Sequence, residues 1–227
     1  MSAHCDIVVA CDGVARTYGR GDAAVVAVHG LSCEVRRNDR IALTGPSGSG
    51  KTTVLHLLAR LVPATTGTVV WPALGDTDRL RPEHIAVVFQ GASLVPALST
   101  VENVALPLVI AGRSAAASRH EASSMLTRVG LGSHLDRLPE ELSAGQAQRA
   151  AIARAMVGTP SLILADEPTG QLDRRTADSV LDVLLKRADE LGAALVIATH
   201  DARIANRFQA RWTMRDGRVR EDVACSA

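Results

Sequence analysis

Apolar positions in the first part of the chain fall in short runs at residues 7–10, 24–28, 31–35 and 40–44. The third run is followed by the turn-forming Arg37-Asn38-Asp39, and consecutive runs with tight turns predict a small antiparallel sheet. Past Gly50 the period changes. Thr53, Val54, Leu57, Leu58 and Leu61 fall at helical spacing, and Pro63 ends the segment. Runs at 68–71 and 85–89 predict two more strands. From about 92 to 157 the strand signal disappears and helical segments follow one another, interrupted at Pro107, Gly112, Gly130, Gly132 and Pro139. Alternation then resumes with a strand over 161–165, a helix over 174–191, a strand over 194–199 and a β pair around 211–220. The pattern predicts an α/β fold: a parallel-sheet core, an N-terminal antiparallel β subdomain and an inserted α-helical subdomain. The expected organisation is a single domain over 1–227, its α/β core and β subdomain drawn from 1–90 and 157–227, with 91–156 as the helical part. No internal repeat or low-complexity linker interrupts it.

Composition narrows this picture. The chain has 227 residues, enough to bury a sizeable core, and only 2% aromatics against 47% hydrophobic residues, so Ala, Val, Leu and Ile must build that core. A formal charge of +1 gives no reason to expect nucleic acid or an anionic membrane as the main partner. Cys5, Cys11, Cys33 and Cys225 form no C-x-x-C pair and no Cys/His cluster, and read as incidental thiols in a reducing compartment. The run at 7–10 lacks a basic segment before it and is not expected to be a signal peptide. The longest apolar segment, 104–111, is far short of a membrane span and contains Pro107, so a membrane role is expected to need a separate partner. Lysine occurs only at Lys51 and Lys186, which makes the position of Lys51 informative.

Lys51 lies in Gly45-Pro46-Ser47-Gly48-Ser49-Gly50-Lys51-Thr52, which matches G-x-x-x-x-G-K-[ST] after an apolar strand and before a helix. The glycines let successive backbone N–H groups turn toward phosphate oxygens, and the helix adds its positive end. Residues Gly45 to Thr53 are therefore expected to line a nucleotide. Lys51 reaches the β- and γ-phosphates in this reading, and the Thr52 hydroxyl faces Mg²⁺. A second site follows the continuous apolar run Leu162-Ile163-Leu164-Ala165, the mark of a strand covered on both faces, which ends in Asp166-Glu167. At the carboxyl end of a parallel strand Asp166 would hold Mg²⁺, and Glu167 would polarise the attacking water as general base. A carboxylate in that place favours ATP hydrolysis over transfer to a small acceptor.

Beside these stand Phe89-Gln90, Leu142-Ser143-Ala144-Gly145-Gln146, the run Gln148 to Ala155, Leu172-Asp173 and His200. In this order they resemble the ATPase subunits of ABC transporters, with their P-loop NTPase (RecA-like) core, along nearly the full length. The resemblance identifies the pentapeptide as that family's signature motif, Gln90 as its Q-loop glutamine, Leu172-Asp173 as its D-loop and His200 as its switch histidine. It implies that Ser143 and Gly145 bind the γ-phosphate of an ATP held by a second copy, and that Gln146 is also a nucleotide-binding residue. It also implies that Gln90 ligates Mg²⁺ and senses a transmembrane permease subunit, that His200 contacts the γ-phosphate and that Tyr18 stacks on adenine. The expected assembly is a homodimer at the cytoplasmic face of the membrane. Asp166 to Asp173, Ala198 to Asp201 and Met214 to Arg218 look most like the branch that holds lipoprotein-releasing and macrolide-export ATPases and a cell-division ATPase. That leaves regulation of a division or cell-envelope partner, without transport, as the alternative output. Three departures stand out: Ala144 replaces the usual second signature glycine, Gln171 stands where relatives usually carry Asn, and the 71–83 segment is shorter than usual, implying a trimmed antiparallel subdomain.

Overall fold

The computed structural model describes residues 6–75 and 83–223, arranged around two sheets. The smaller has the order β2-β1-β4, built from β1 (Ile7–Tyr18), β2 (Val25–Arg36) and β4 (Thr66–Val70), all antiparallel. The larger has the order β5-β6-β7-β3-β8-β9. Its members are β3 (Arg40–Thr44), β5 (Ile85–Val88), β6 (Leu162–Asp166), β7 (Ala194–Thr199), β8 (Ala210–Arg215) and β9 (Arg218–Val223), parallel except for the β8–β9 hairpin. Helix α1 (Lys51–Leu58) covers one face. A helical block of α2 (Thr100–Ile110), α3 (Ala115–Arg128) and α4 (Ala144–Met156) enters between β5 and β6, and α5 (Arg174–Leu191) and the short α6 (Ala202–Ala205) follow.

Side chains alternate across a strand, so a sheet covered on both faces needs apolar residues at every position. The central strands show this directly. Leu162, Leu164, Val196 and Ala198 point into a core shared with α1 and β2, while Ile163, Ala165, Leu195 and Ile197 point into one shared with α2, α4 and α5. These runs therefore carry no alternation for a pattern search to find.

Three expectations change. The runs 24–28 and 31–35 are one strand, because Gly30, at φ 55, absorbs a register shift between Val14↔Leu31 and Arg16↔Val28 instead of ending the strand. The run 40–44 does not join the antiparallel sheet. Asn38 turns the chain at φ 65, and the buried Arg40 binds the Ala193 carbonyl at 2.7 Å and the Asp189 carboxylate, which sets β3 between β7 and β8. Pro107 lies inside α2 and does not break it, since Val101, Val104, Ala105 and Leu108 on the same helix are buried. The short 71–83 segment lies largely outside the described residues.

The 95–99 segment that leads into α2 is fastened by Asn103, which is fully buried. Its Oδ1 accepts from Val95 N–H at 2.7 Å, and its amide donates to the Val95, Leu98 and Ser99 carbonyls at 3.1, 2.8 and 3.1 Å. Asn103→Leu would orphan the Val95 N–H and the Leu98 carbonyl, while the Val95 and Ser99 carbonyls keep the backbone N–H groups of Leu98 and Asn103. It is expected to lower folding stability by about 2–3 kcal/mol, read as a lower urea midpoint at unchanged slope. An unchanged midpoint would show that the 95–99 segment finds other partners.

Candidate functional site

Four of the sequence motifs leave the carboxyl ends of four neighbouring parallel strands. β3 runs into the phosphate loop, β6 into Glu167, β7 into His200 and β5 into Phe89-Gln90. The pairings Thr44↔Thr199, Asp166↔Ala198 and Val88↔Ala165 set these exits level. In open α/β sheets this edge is where ligands bind.

The loop from Gly45 to Gly50 is clamped from behind by chain segments distant in sequence. A methyl group on Gly45 would lie 2.3 Å from the Met214 carbonyl oxygen. One on Gly50, which has φ 105, would lie 2.3 Å from the Ala27 carbonyl oxygen and 2.6 Å from Met214 Cε. The Gly217 N–H donates to the Ser49 carbonyl at 3.2 Å and the His29 N–H donates to Gly217 O at 2.8 Å, tying hairpin, loop and β2 together. Pro46, Ser47 and Gly48 form the exposed outer part of the loop, whereas Ser49, Lys51 and Thr53 are buried. Lys51 Nζ donates to the Gly45 and Pro46 carbonyls at 2.9 and 3.0 Å, which keeps the ammonium on the loop. Tyr18 stands at the end of β1 and pairs with Val25, one strand over from Ala27. It is 38% exposed, with the Arg16 guanidinium 4.6 Å over its ring centroid, so one ring face is occupied.

Two side-chain bonds join the motifs. Thr52 Oγ1 donates to Asp166 Oδ2 at 2.6 Å, uniting the loop with the strand-end carboxylate. Glu167 Oε1 lies 2.8 Å from His200 Nδ1, with the Glu167 side chain 15% exposed and that of His200 73% exposed. Glu167 has φ 46, a left-handed conformation rare outside glycine, and its N–H donates to the Ala198 carbonyl at 2.9 Å. A non-glycine residue held in this region carries backbone strain of about 1–3 kcal/mol, and such residues cluster at active sites. Gln90 is exposed just beyond β5.

Ser143, Gly145 and Gln146 lie elsewhere. Ser143 is the N-cap of α4: its Oγ accepts from Gln146 N–H at 3.2 Å, while its own N–H donates to Gln146 Oε1 at 2.9 Å. The Gln146 side chain holds this cap, and its Nε2 lies 3.1 Å from His134 Nε2. A methyl on Gly145 would be in contact with Leu172 Cδ2 and the Gln171 carbonyl, at 3.4 and 3.6 Å. Ala144 is exposed at the first helical position.

Several contributors were not singled out from sequence. Ala27, His29, Met214 and Gly217 back the phosphate loop, and nothing local in the sequence marks Ala27 or His29 for this. Gln148 and Arg154 on α4 donate to the Phe89 carbonyl at 3.4 Å and to the Ser93 and Ala92 carbonyls at 3.0 and 3.4 Å, which ties the segment around Gln90 to the helix. The clue was the family resemblance, since both residues lie in the run Gln148 to Ala155 that carries it. Asp173 caps α5 through Thr176 N–H at 3.1 Å; the Thr176 side chain first, and then that backbone bond, hold its carboxyl below the usual carboxylate range.

Residues 28–170 match the sequence profile of the ABC transporter family. The chain belongs to that family. It is 40% identical over 215 residues to the ABC transporter ATP-binding protein YbbA of Escherichia coli K12, covering 92% of this chain and 94% of that one. The lipoprotein-releasing system ATP-binding protein LolD of Legionella pneumophila (strain Paris) is 39% identical over 219 residues, covering 93% and 96%. Among solved structures, the ATP-binding cassette MJ0796 in a dimeric post-hydrolysis state bound to ADP and Pi superimposes with a TM-score of 0.89 at 33% identity. That match covers 96% of this chain and all of the other. The protein is an ATP-binding subunit of an ABC transporter with the P-loop NTPase fold, and an ATP hydrolase. No helix among the described residues is long and apolar enough to cross a membrane.

Proposed function

We propose that two copies of this ABC ATPase close head to tail on two ATP molecules, and that hydrolysis drives a permease carried on a separate membrane chain. The observation that carries the reading is that the signature residues bond and pack against residues outside the phosphate loop. The phosphate loop meets Asp166 through Thr52, while Ser143 and Gly145 stand beside Gln146, Gln171 and Leu172 at an exposed helix N-terminus. One copy thus offers two half-sites, which a second copy completes. Because Ser143 Oγ accepts from the Gln146 N–H, its hydroxyl proton is left to donate, and the helix end favours an anion.

In this reading the amides of Gly45 to Thr53 cradle the phosphates, Lys51 reaches the β- and γ-phosphates, and Tyr18 offers the adenine the ring face that Arg16 leaves open. Thr52 and Asp166, two hard oxygen donors already in contact, suit Mg²⁺ with Gln90 as a further oxygen ligand. Bound there, Mg²⁺ neutralises phosphate charge. Glu167, held by His200, accepts a proton from water as the water oxygen bonds to the γ-phosphorus and the bond to the β–γ bridging oxygen breaks, releasing ADP and phosphate. His200 contacts the γ-phosphate.

One ATPase unit spans 1–227 in this proposal, with 1–90 and 157–227 as core and 91–156 as the part that passes dimer opening to cytoplasmic helices of the permease. The hydrogen bonds from Gln148 and Arg154 to residues 89, 92 and 93 support Gln90 as the joint between the two parts. The likeness to LolD supports a lipoprotein-release or export type of output. Pull-down of the tagged full chain in mild detergent is expected to recover an integral membrane protein that raises ATP turnover several-fold. If every recovered membrane protein leaves turnover unchanged, the permease part of the proposal fails.

A further inference from the structure

The signature cap is fastened to a side chain that no motif includes. Gln146 Nε2 lies 3.1 Å from His134 Nε2, and His134 Nδ1 lies 3.0 Å from Ser133 Oγ. Hydrogen-bond chemistry fixes every group in this chain. The Ser143 N–H can only donate, so the Gln146 atom facing it is the carbonyl oxygen. The other end of that amide is then NH₂, also a pure donor, so His134 Nε2 must accept. Nδ1 therefore carries the ring proton and donates to Ser133.

His134 is itself held rigidly. Its N–H donates to the Leu131 carbonyl at 2.9 Å and its carbonyl accepts from Arg137 N–H at 3.3 Å. The next residues clasp the start of α2. Leu135 O accepts from Val101 N–H at 2.9 Å, and Arg137 O accepts from both the backbone N–H and the hydroxyl of Thr100 at 2.8 Å. A continuous line of hydrogen bonds thus runs from the α2 N-terminus through the 131–137 turn and His134 to Gln146 and Ser143.

We propose that His134 is a positioning residue for the signature motif. It locks the Gln146 amide, which locks the Ser143 backbone, so that the Ser143 hydroxyl and the first amides of α4 are preset for the γ-phosphate bound by a second copy. This rests on the head-to-tail reading above. Preset donors spare a binding partner the ordering of a loose cap, so the effect falls on dimer closure and not on ATP binding by one copy.

The test uses the full chain in a Glu167→Gln background, with ATP-dependent dimer affinity measured by sedimentation and monomer ATP affinity measured at high dilution. His134→Phe removes the acceptor and is expected to weaken the dimer about 3- to 10-fold with monomer ATP affinity unchanged, a split that general destabilisation would not produce. His134→Arg sets a donor against the amide NH₂ and is expected to weaken it similarly. Adding Gln146→Glu to His134→Arg supplies a carboxylate that accepts from both Ser143 N–H and the guanidinium, and is expected to recover affinity. His134→Gln, whose side-chain carbonyl can accept, is expected to stay close to the parent. Parental dimerisation by both His134→Phe and His134→Arg, or no recovery in the double variant, overturns the inference alone. A Glu167→Gln parent that binds ATP yet stays monomeric overturns the head-to-tail reading, and the inference with it.

Discussion

Glu167→Gln is expected to leave ATP binding intact, cut steady-state hydrolysis by about 10²- to 10⁴-fold and yield a dimer that forms only with ATP. The amide keeps the shape of the carboxylate and its oxygen can still accept from His200 Nδ1, now 2.8 Å from Oε1, so the local geometry survives. What it loses is the ability to take a proton. It also removes a negative charge from beside the γ-phosphate, which favours the closed, ATP-bound pair. Phosphate release measures the first effect, and gel filtration with and without ATP·Mg²⁺ the second. Hydrolysis at the parental rate would move the base role to another group. A variant that binds ATP but remains monomeric would count against composite sites.

Gly50→Ala is expected to abolish nucleotide binding without unfolding the chain. The added methyl would meet the Ala27 carbonyl oxygen at 2.3 Å, far inside contact distance, and the backbone there has φ 105. The Met214 methyl can swing aside, but the Ala27 carbonyl belongs to the β2 backbone, whose adjoining residues Val26 and Val28 pair with Thr17 and Arg16 of β1. The loop must shift instead, by enough to misdirect its N–H groups and Lys51. Backbone strain alone is worth about 1–3 kcal/mol, and with the overlap added a loss of at least roughly 100-fold in ATP affinity is expected. Titration with a fluorescent ATP analogue, alongside a circular dichroism spectrum matching the parent, would show it. A folded variant with near-parental affinity would mean the clamp behind the loop is not what shapes it.

Much of this was legible in the residues. The phosphate loop, the strand-end Asp166-Glu167 and the switch from period 2 to helical spacing at Gly50 are local signals, because the chemistry that needs them lies within a few residues. The helical insertion was legible through the loss of strand pattern between 92 and 157. Partnerships between segments were not. The runs at 24–28 and 31–35 look like two strands because sequence cannot show that Gly30 bends one strand without ending it. The 40–44 run looks like its antiparallel neighbours, since a short apolar strand carries no mark of which sheet will take it. His134 and Ala27 had no signal, as each matters only through an atom that tertiary folding brings near.

The sequence by itself determined the family, the nucleotide chemistry and the identity of nearly every candidate site residue. These depend on side-chain type and short spacing, which the chain carries in linear order. Only the tertiary structure decided that four motifs leave level strand ends, that Thr52 meets Asp166 and Glu167 meets His200, and that His134 meets Gln146. Hydrogen bonds and close contacts reach only a few ångströms. Residues distant in sequence satisfy that limit only after the two cores have packed against the faces of the central sheet.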